Sequence, residues 1–224
     1  MEKSAATSDN NIAEVEISDP LIWQDYLPGL ILTTPMVIAF LAIGFSSNGM
    51  IGWAVSRGAI GSGNLLTIQS HMFAHGSIVH IVMNASALYA IAPLVVHRLG
   101  SGFRSSILFF VLFELSGLGG LGTFLALHHW NDTPMLGASG AIYGLVGFLV
   151  RYPDAGGQVR PILSKDMFQA CLGFIKDHFW LFLIFALPPL LSGRGGGLAW
   201  EAHLGGFITG FVLCPLFVRR TKVI

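Results

Sequence analysis

Two apolar segments of the chain each carry one residue that could take part in catalysis. Ser139 lies in a Gly-Ala-Ser-Gly sequence, and His203 lies in an Ala-His-Leu-Gly-Gly sequence. A serine hydroxyl is a weak nucleophile until a base removes its proton, and an imidazole at hydrogen-bond distance is the usual base. The two residue types together predict hydrolysis by a serine nucleophile and a histidine base.

Two further polar residues, His80 and Asn84, lie in an earlier apolar segment. They are four residues apart, so a helix would place them on one face. Both can donate hydrogen bonds to an oxyanion, as can the free N–H groups at the start of a helix that contains Ser139. A purely structural role for Ser139 and for the histidines stays open at this point. A serine in a membrane helix often bonds to its own helix, and a histidine can bridge two helices.

A metal site is an alternative for the two histidines that precede this segment. His71 and His75 have the spacing of two zinc ligands, but Met72 stands where a zinc-protease helix carries its glutamate. We therefore expect no metal ion and no cofactor. Aspartate-based proteolysis would need two aspartates in apolar segments, and the six apolar runs described below contain none. Glu114 is expected to be a buried structural group.

The composition identifies the class of protein that holds these residues. Of 224 residues, 53% are hydrophobic and 11% are charged, against roughly 25% charged in an average soluble protein. The mean hydropathy is +0.69. A soluble globular protein is therefore excluded. The net charge of zero argues against a nucleic-acid partner, and two cysteines exclude a disulfide framework.

Six apolar runs predict six transmembrane helices, because about 20 helical residues cross the hydrocarbon layer. The runs are residues 28–46, 77–96, 105–127, 136–150, 178–193 and 201–218. The fourth and fifth are short, so other helices should surround them. We expect an all-α membrane protein whose six-helix bundle covers residues 27–219. The polar tail, residues 1–26, is expected to be disordered and cytoplasmic, and residues 220–224 to form a cytoplasmic C-terminal end.

The basic residues predict the orientation of the bundle. With both termini in the cytoplasm, ten Lys and Arg residues lie in inner segments, and only Arg57 and Arg194 lie in the outer loops. Residues 47–76, 128–135 and 194–200 would then face outwards, and the serine and histidines would share the outer half of the membrane. Because no secretory signal precedes the bundle, we expect a multi-pass protein of a prokaryotic plasma or inner membrane.

Glycine spacing predicts that the fourth and sixth helices meet. Small residues four apart allow two helix backbones to approach closely in lipid. The contact would bring the Ser139 hydroxyl within reach of His203. The glycines concerned are Gly140, Gly144 and Gly147 in the fourth helix, and Gly206 and Gly210 in the sixth.

The order of these elements over roughly residues 28–219 resembles the rhomboid intramembrane serine proteases. The shared features are the spacing of His75, His80 and Asn84 around the start of the second helix, Gly-Ala-Ser-Gly followed by Tyr143, and Ala-His-x-x-Gly-x-x-x-Gly in the sixth helix. The resemblance implies cleavage of transmembrane proteins by a Ser–His dyad without a third acidic residue.

The same resemblance implies a role for each site residue. Ser139 would be the nucleophile and His203 the general base. Tyr143 would pack against the His203 ring, and the fifth helix, loosened by Pro188-Pro189, would move to admit substrate. The remaining roles would be oxyanion stabilisation by His80, Asn84 and the Ser139 N–H, positioning by Gly137 and Gly140, and a water-admitting cavity with His71 and His75.

The sequence departs from the family pattern in two loops. Many members carry a Trp-Arg pair in the first outer loop, whereas here Trp53 and Arg57 are separated by three residues. Val96 replaces an acidic residue near the end of the second helix, although the Arg-Leu-Gly sequence from Arg98 is retained. These differences concern the anchoring of loops and leave the dyad intact.

Two functions of other classes remain as alternatives. A non-proteolytic rhomboid-like protein would bind and escort membrane clients without needing Ser139. A transporter would favour paired halves with broken helices, and the sequence has no internal repeat. The expected partners are transmembrane protein substrates and the lipid bilayer.

Overall fold

The computed structural model describes residues 20–154, 157–192 and 198–218. This part of the chain is helical and contains no β-strand, apart from one isolated antiparallel bridge between Val55 and Met135. Its α-helices are α1 (Trp23–Ile43), α2 (Arg57–Gly61), α3 (Thr67–Ser70), α4 (Ile78–Arg98), α5 (Gly102–Leu127), α6 (Ser139–Arg151), α7 (Lys165–Ser192) and α8 (Trp200–Phe217).

Four of these helices, α1, α4, α5 and α8, are long and apolar enough to cross a membrane. The chain is therefore an integral membrane protein with an all-helical fold. The other two predicted membrane segments correspond to α6, a shorter apolar helix, and α7. Six membrane crossings therefore remain a prediction.

Four helices begin earlier than their apolar runs, and the difference is largest for α1 and α7. The first starts at Trp23, so the last residues assigned to the polar tail are helical. Helix α7 starts at Lys165, because the hydroxyl of Ser164 accepts a hydrogen bond from the N–H of Met167 (3.1 Å) and so caps the helix. Hydropathy missed residues 165–177 of α7, because charged and polar residues favour the helix without making it apolar.

Some of the predictions concern the rest of the chain. Residues 1–19 of the tail, residues 194–197 of the third outer loop and the C-terminal end 220–224 lie outside the described residues. The disorder of the tail, the boundaries of the bundle and the loosening of α7 by Pro188-Pro189 therefore stay predictions.

The core of the molecule forms where α6 packs against α8, α5 and α4. Glycines make the α6–α8 contact close. A Cβ atom on Gly206 would overlap the carbonyl oxygen of Gly140, and one on Gly210 would overlap that of Gly144. The two backbones therefore touch directly, as small residues allow in membrane helices.

The segment between α1 and α4 is anchored to α5 despite its unusual sequence. The Arg57 guanidinium donates a hydrogen bond to the carbonyl oxygen of Leu125 (2.6 Å) in the last turn of α5. The carbonyl oxygen of Trp53 accepts one from the Ser70 hydroxyl (3.1 Å). A cation near the carbonyl end of a helix is favourable, so Arg57 holds this loop without an adjacent tryptophan.

Asp132 ties the same loop to the α5–α6 connection. Its carboxylate accepts a hydrogen bond from the N–H of Gly58 (2.7 Å). This bond, followed by one from the Ser56 hydroxyl, lowers the pKa of Asp132 below its usual value. A Cβ atom on Gly58 would overlap the carboxylate, so the glycine permits this contact.

Arg98 stabilises the connection after α6 without the acidic residue that Val96 replaces. Its guanidinium donates to the carbonyl oxygen of Pro153 (2.6 Å) and to that of Leu94 (3.3 Å). Val96 is fully buried in the apolar core. Backbone carbonyl groups thus provide the acceptors for Arg98 in this loop.

Candidate active site

Ser139 and His203 are in direct contact. Ser139 is the first residue of α6, and His203 lies in the first turn of α8. The Ser139 Oγ is 2.7 Å from the His203 Nε2, within hydrogen-bond distance. The glycines that bring α6 and α8 together therefore also determine this contact. A hydroxyl held against an imidazole in this way can transfer its proton to the ring.

The ring of Tyr143 covers His203. The two rings are stacked, with centroids 4.4 Å apart and planes at 7°. Tyr143 lies one turn after Ser139, so the same face of α6 contacts His203 twice. Stacking restricts the rotation of the imidazole and keeps its Nε2 directed at the serine.

Gly137 allows His80 to approach the chain next to the serine. Its φ of +117° lies in the region that favours glycine. A Cβ atom at this position would lie only 2.6 Å from the His80 Nε2. The His80 Nδ1 accepts a hydrogen bond from the N–H of Gly76 (3.4 Å). A neutral His80 ring in this arrangement carries its proton on Nε2, the nitrogen nearest Gly137.

Asn84 brings an unpaired donor to the same place. Its side chain is only 5% exposed, and its Nδ2 has no hydrogen-bond partner among the described residues. This nitrogen would lie 3.8 Å from a Cβ atom on Gly137. A buried amide without an acceptor is costly for a folded protein. Such a cost is common where a group is held ready for a ligand.

The start of α6 offers further donors. Ala138 precedes the helix, and no side chain caps this end. The first N–H groups of a helix have no intrahelical acceptor, and they are partly positive. Ser139, Gly137, Gly140 and His71 all line a small recess at this point. The recess therefore lies beside both the Ser139 hydroxyl and the free backbone N–H groups at the start of α6.

His71 is a support for the chain segment before Ser139. Its carbonyl oxygen accepts a hydrogen bond from the N–H of Gly137 (2.8 Å). Its ring Nδ1 donates to the carbonyl oxygen of Thr67 (3.1 Å). Burial lowers the pKa of His71, so the ring is neutral at pH 7.

His75 lies behind His80. The ring centroids are 4.9 Å apart in an edge-on arrangement. His75 is 1% exposed, and neither ring nitrogen has a partner in the described part of the chain. Burial, and then the neighbouring His80, lower the pKa of His75 to about 3. No group of three metal-ligating side chains occurs among the described residues.

Two carboxylates near the site have other partners. Glu114, expected to be a buried structural group, is half-buried and accepts a hydrogen bond from Gln69 (2.9 Å). Glu201, two residues before His203, contacts His128 at 3.0 Å. Sequence reasoning missed the second pair, although an acidic residue at the start of an apolar run was a visible signal.

Comparisons with known proteins find similar sequences over much of this chain. A family model described as the Rhomboid domain matches residues 62–220. The chain is 29% identical over 102 residues to an uncharacterized protein of Mycobacterium bovis and to one of Mycobacterium tuberculosis, a match that covers 44% of this chain and 39% of each relative. It is 25% identical over 161 residues to RHOMBOID-like protein 9, chloroplastic, of Arabidopsis thaliana, covering 69% of this chain and 32% of that protein. The matched segments thus span less than half of each relative.

Proposed function

The chain belongs to the rhomboid family, and on this premise we propose that it is an intramembrane serine endopeptidase with a Ser139–His203 dyad. The observation that carries the proposal is the 2.7 Å contact between the Ser139 Oγ and the His203 Nε2. A relative of a serine hydrolase loses this contact, and with it the activity, when either the serine or the histidine is replaced. Here both residues are present, and Tyr143 stacks on the base.

In the proposed acylation step, His203 takes the hydroxyl proton while the Ser139 Oγ attacks a substrate carbonyl carbon. The carbonyl oxygen becomes negatively charged. The Ser139 N–H, the His80 Nε2–H and the Asn84 amide donate hydrogen bonds to it. The protonated His203 then gives its proton to the leaving amine, and an acyl-enzyme remains on Ser139.

Deacylation repeats these steps with water as the nucleophile. His203 takes a proton from water while the water oxygen attacks the ester carbonyl carbon. The bond from this carbon to the Ser139 Oγ then breaks, His203 returns its proton to the Oγ, and the carboxylic acid product leaves. The neutral ring of His71 lines the recess and that of His75 lies behind His80, and these polar groups would favour the access of water from their side. We propose that these residues form the hydrophilic cavity.

The substrates would be transmembrane proteins that reach the site from the lipid. A helix shields its own carbonyl groups, so the substrate must unwind near Ser139 before cleavage. With both termini in the cytoplasm, cleavage would occur near the outer interface of a prokaryotic plasma or inner membrane. Movement of α7 would open the lateral path.

Labelling with a fluorescent serine-reactive phosphonate tests the proposal. Wild-type protein purified in detergent should be labelled, and Ser139→Ala and His203→Ala should not be. Ser106→Ala is a matched control, because its hydroxyl bonds to the carbonyl oxygen of Gly102 in its own helix. A transmembrane reporter substrate in liposomes should be cleaved with the same dependence.

Two results would contradict the proposal. Labelling that survives Ser139→Ala would identify another nucleophile. Folded wild-type protein that is neither labelled nor able to cleave any reporter would favour the client-binding function, in which association with membrane proteins does not depend on Ser139.

A further inference from the structure

A histidine–carboxylate contact lies close to the dyad. The His128 Nε2 donates a hydrogen bond to the Glu201 Oε1 across 3.0 Å, which joins the end of α5 to the first turn of α8. Glu201 is only 8% exposed. A buried carboxylate is unfavourable unless a donor pairs with it, so this contact is a specific one.

Three consecutive residues of α8 contact residues of α5, of α6 and at the end of α5. Glu201 contacts His128, and His203 contacts the dyad serine. The carbonyl oxygen of Ala202, between them, lies 2.7 Å from the Cβ position of Gly120 in α5 and 3.2 Å from that of Gly140 in α6. Because successive residues point about 100° apart around a helix, fixing Glu201 also fixes the rotation of His203.

Phe124 contacts both the backbone and the ring of His128. The backbone N–H of His128 donates to the carbonyl oxygen of Phe124 (2.9 Å) and its ring packs on the Phe124 ring at 4.4 Å. In contrast, α8 begins at Trp200, one residue before Glu201. The first turn of a helix lacks half of its hydrogen bonds and opens most readily. His128 thus joins this first turn of α8 to the end of α5.

We propose that His128 and Glu201 are a positioning pair that fixes the first turn of α8 and keeps the His203 Nε2 at hydrogen-bond distance from Ser139. The pair does not touch the reacting atoms and acts through His203. The consequence for catalysis rests on the proposed protease function, whereas the consequence for the geometry of His203 does not.

Nuclear magnetic resonance of ¹⁵N-histidine-labelled protein in detergent tests the geometry directly. The chain has eight histidines, and the His203 ring signals are identified by their loss in His203→Ala. Glu201→Ala should shift or broaden these signals, because the ring no longer keeps one position. Glu201→Gln should preserve them, since its amide oxygen still accepts the hydrogen bond from His128.

Asp25→Asn is the matched control. Asp25 is a buried carboxylate 3.8 Å from His97, and it joins α1 to α4 instead of α5 to α8. The control should alter thermal stability without moving the His203 signals. The double variant His128→Ala/Glu201→Ala should resemble the more affected single variant, because the two residues act through one contact.

Phosphonate labelling measures the catalytic consequence on the same samples. Labelling by Glu201→Ala and His128→Ala should be about tenfold slower or more, because displacing a catalytic group by about 1 Å can cost 10²-fold. Glu201→Gln should restore most of the rate. The Asp25→Asn control should label at the wild-type rate.

The outcomes separate the two proposals. Unchanged His203 signals in Glu201→Ala would overturn the positioning pair, whatever the activity. Shifted signals in protein that is never labelled would support the pair and contradict the protease function. Shifted signals with an unchanged labelling rate would overturn the catalytic part of the pair.

Discussion

Arg151 supplies the hydrogen bond that Pro215 removes from α8. Proline has no N–H, so the carbonyl oxygen of Phe211, four residues earlier, loses its usual donor. The Arg151 guanidinium donates to this oxygen (2.9 Å) and lies 5.0 Å from the centre of the Phe211 ring. The last residue of α6 is thereby joined to the middle of α8, at the other end of α6 from the dyad.

The effects on stability of substituting Arg151 and of substituting Pro215 should therefore be coupled. Arg151→Met is expected to destabilise the protein by about 1–3 kcal/mol, because it leaves a buried carbonyl group without a donor. In a Pro215→Ala background the cost should be smaller, since the alanine has an N–H group that restores the helical bond. Thermal unfolding of the four proteins in detergent measures both effects. Equal costs in both backgrounds would show that Arg151 acts through its other acceptor, the carbonyl oxygen of Arg160 (3.4 Å).

Tyr143 should contribute through its ring and not through its hydroxyl. Tyr143→Phe keeps the stacking on His203, so phosphonate labelling should stay close to wild type. Tyr143→Ala removes it and should slow labelling about 2- to 10-fold, since an aromatic pair contributes about 0.5–1.5 kcal/mol. An equally large loss in Tyr143→Phe would instead assign a function to the hydroxyl group.

Gly137 should not tolerate a side chain. Gly137→Ala would strain the backbone at φ +117° and push against the His80 ring. We expect loss of phosphonate labelling and a lower melting temperature. Gly122→Ala in α5 is the matched control, because a Cβ atom there meets nothing within 4 Å. If both variants label normally, His80 does not need its observed position.

The dyad contact was predictable from sequence because glycine spacing determines which helix faces can meet. Gly206 and Gly210 allow the backbone of α8 to touch that of α6 at Gly140 and Gly144. In contrast, the partners of Arg98, Arg57 and Glu201 were not predictable. Each of these side chains binds a group that a loop or a helix end brings near. An acidic residue at the start of an apolar run marks Glu201 as unusual, but local sequence patterns do not show which distant group it contacts.

Asn84 should be needed for rate but not for stability. Asn84→Ala removes one proposed oxyanion donor and should lower kcat by about 10²–10³, with little change in KM, because the bond strengthens only in the transition state. It also removes a buried amide that has no acceptor among the described residues, which offsets part of the cost of the lost side chain. Steady-state cleavage of a transmembrane reporter measures kcat and KM, and thermal unfolding measures the stability. A large fall in melting temperature with unchanged kcat would assign Asn84 a structural role.

Lowering the pH should destabilise the folded protein through His75. Burial, and then His80, lower the pKa of His75 to about 3, whereas a histidine in an unfolded chain has a pKa of about 6.5. Between these values the unfolded chain binds a proton that the folded protein excludes. The stabilisation is therefore complete above about pH 6.5, and it decreases as the pH falls towards 3.

His75→Gln removes the titrating ring, so the melting temperature should depend less steeply on pH between about 6.5 and 4. Some dependence should remain, because burial also lowers the pKa of His71. His129→Gln, at an exposed loop position, controls for the loss of one imidazole. If the melting temperatures of wild type and His75→Gln depended equally on pH across this range, the folded protein and the unfolded chain would protonate His75 equally, which would contradict the prediction.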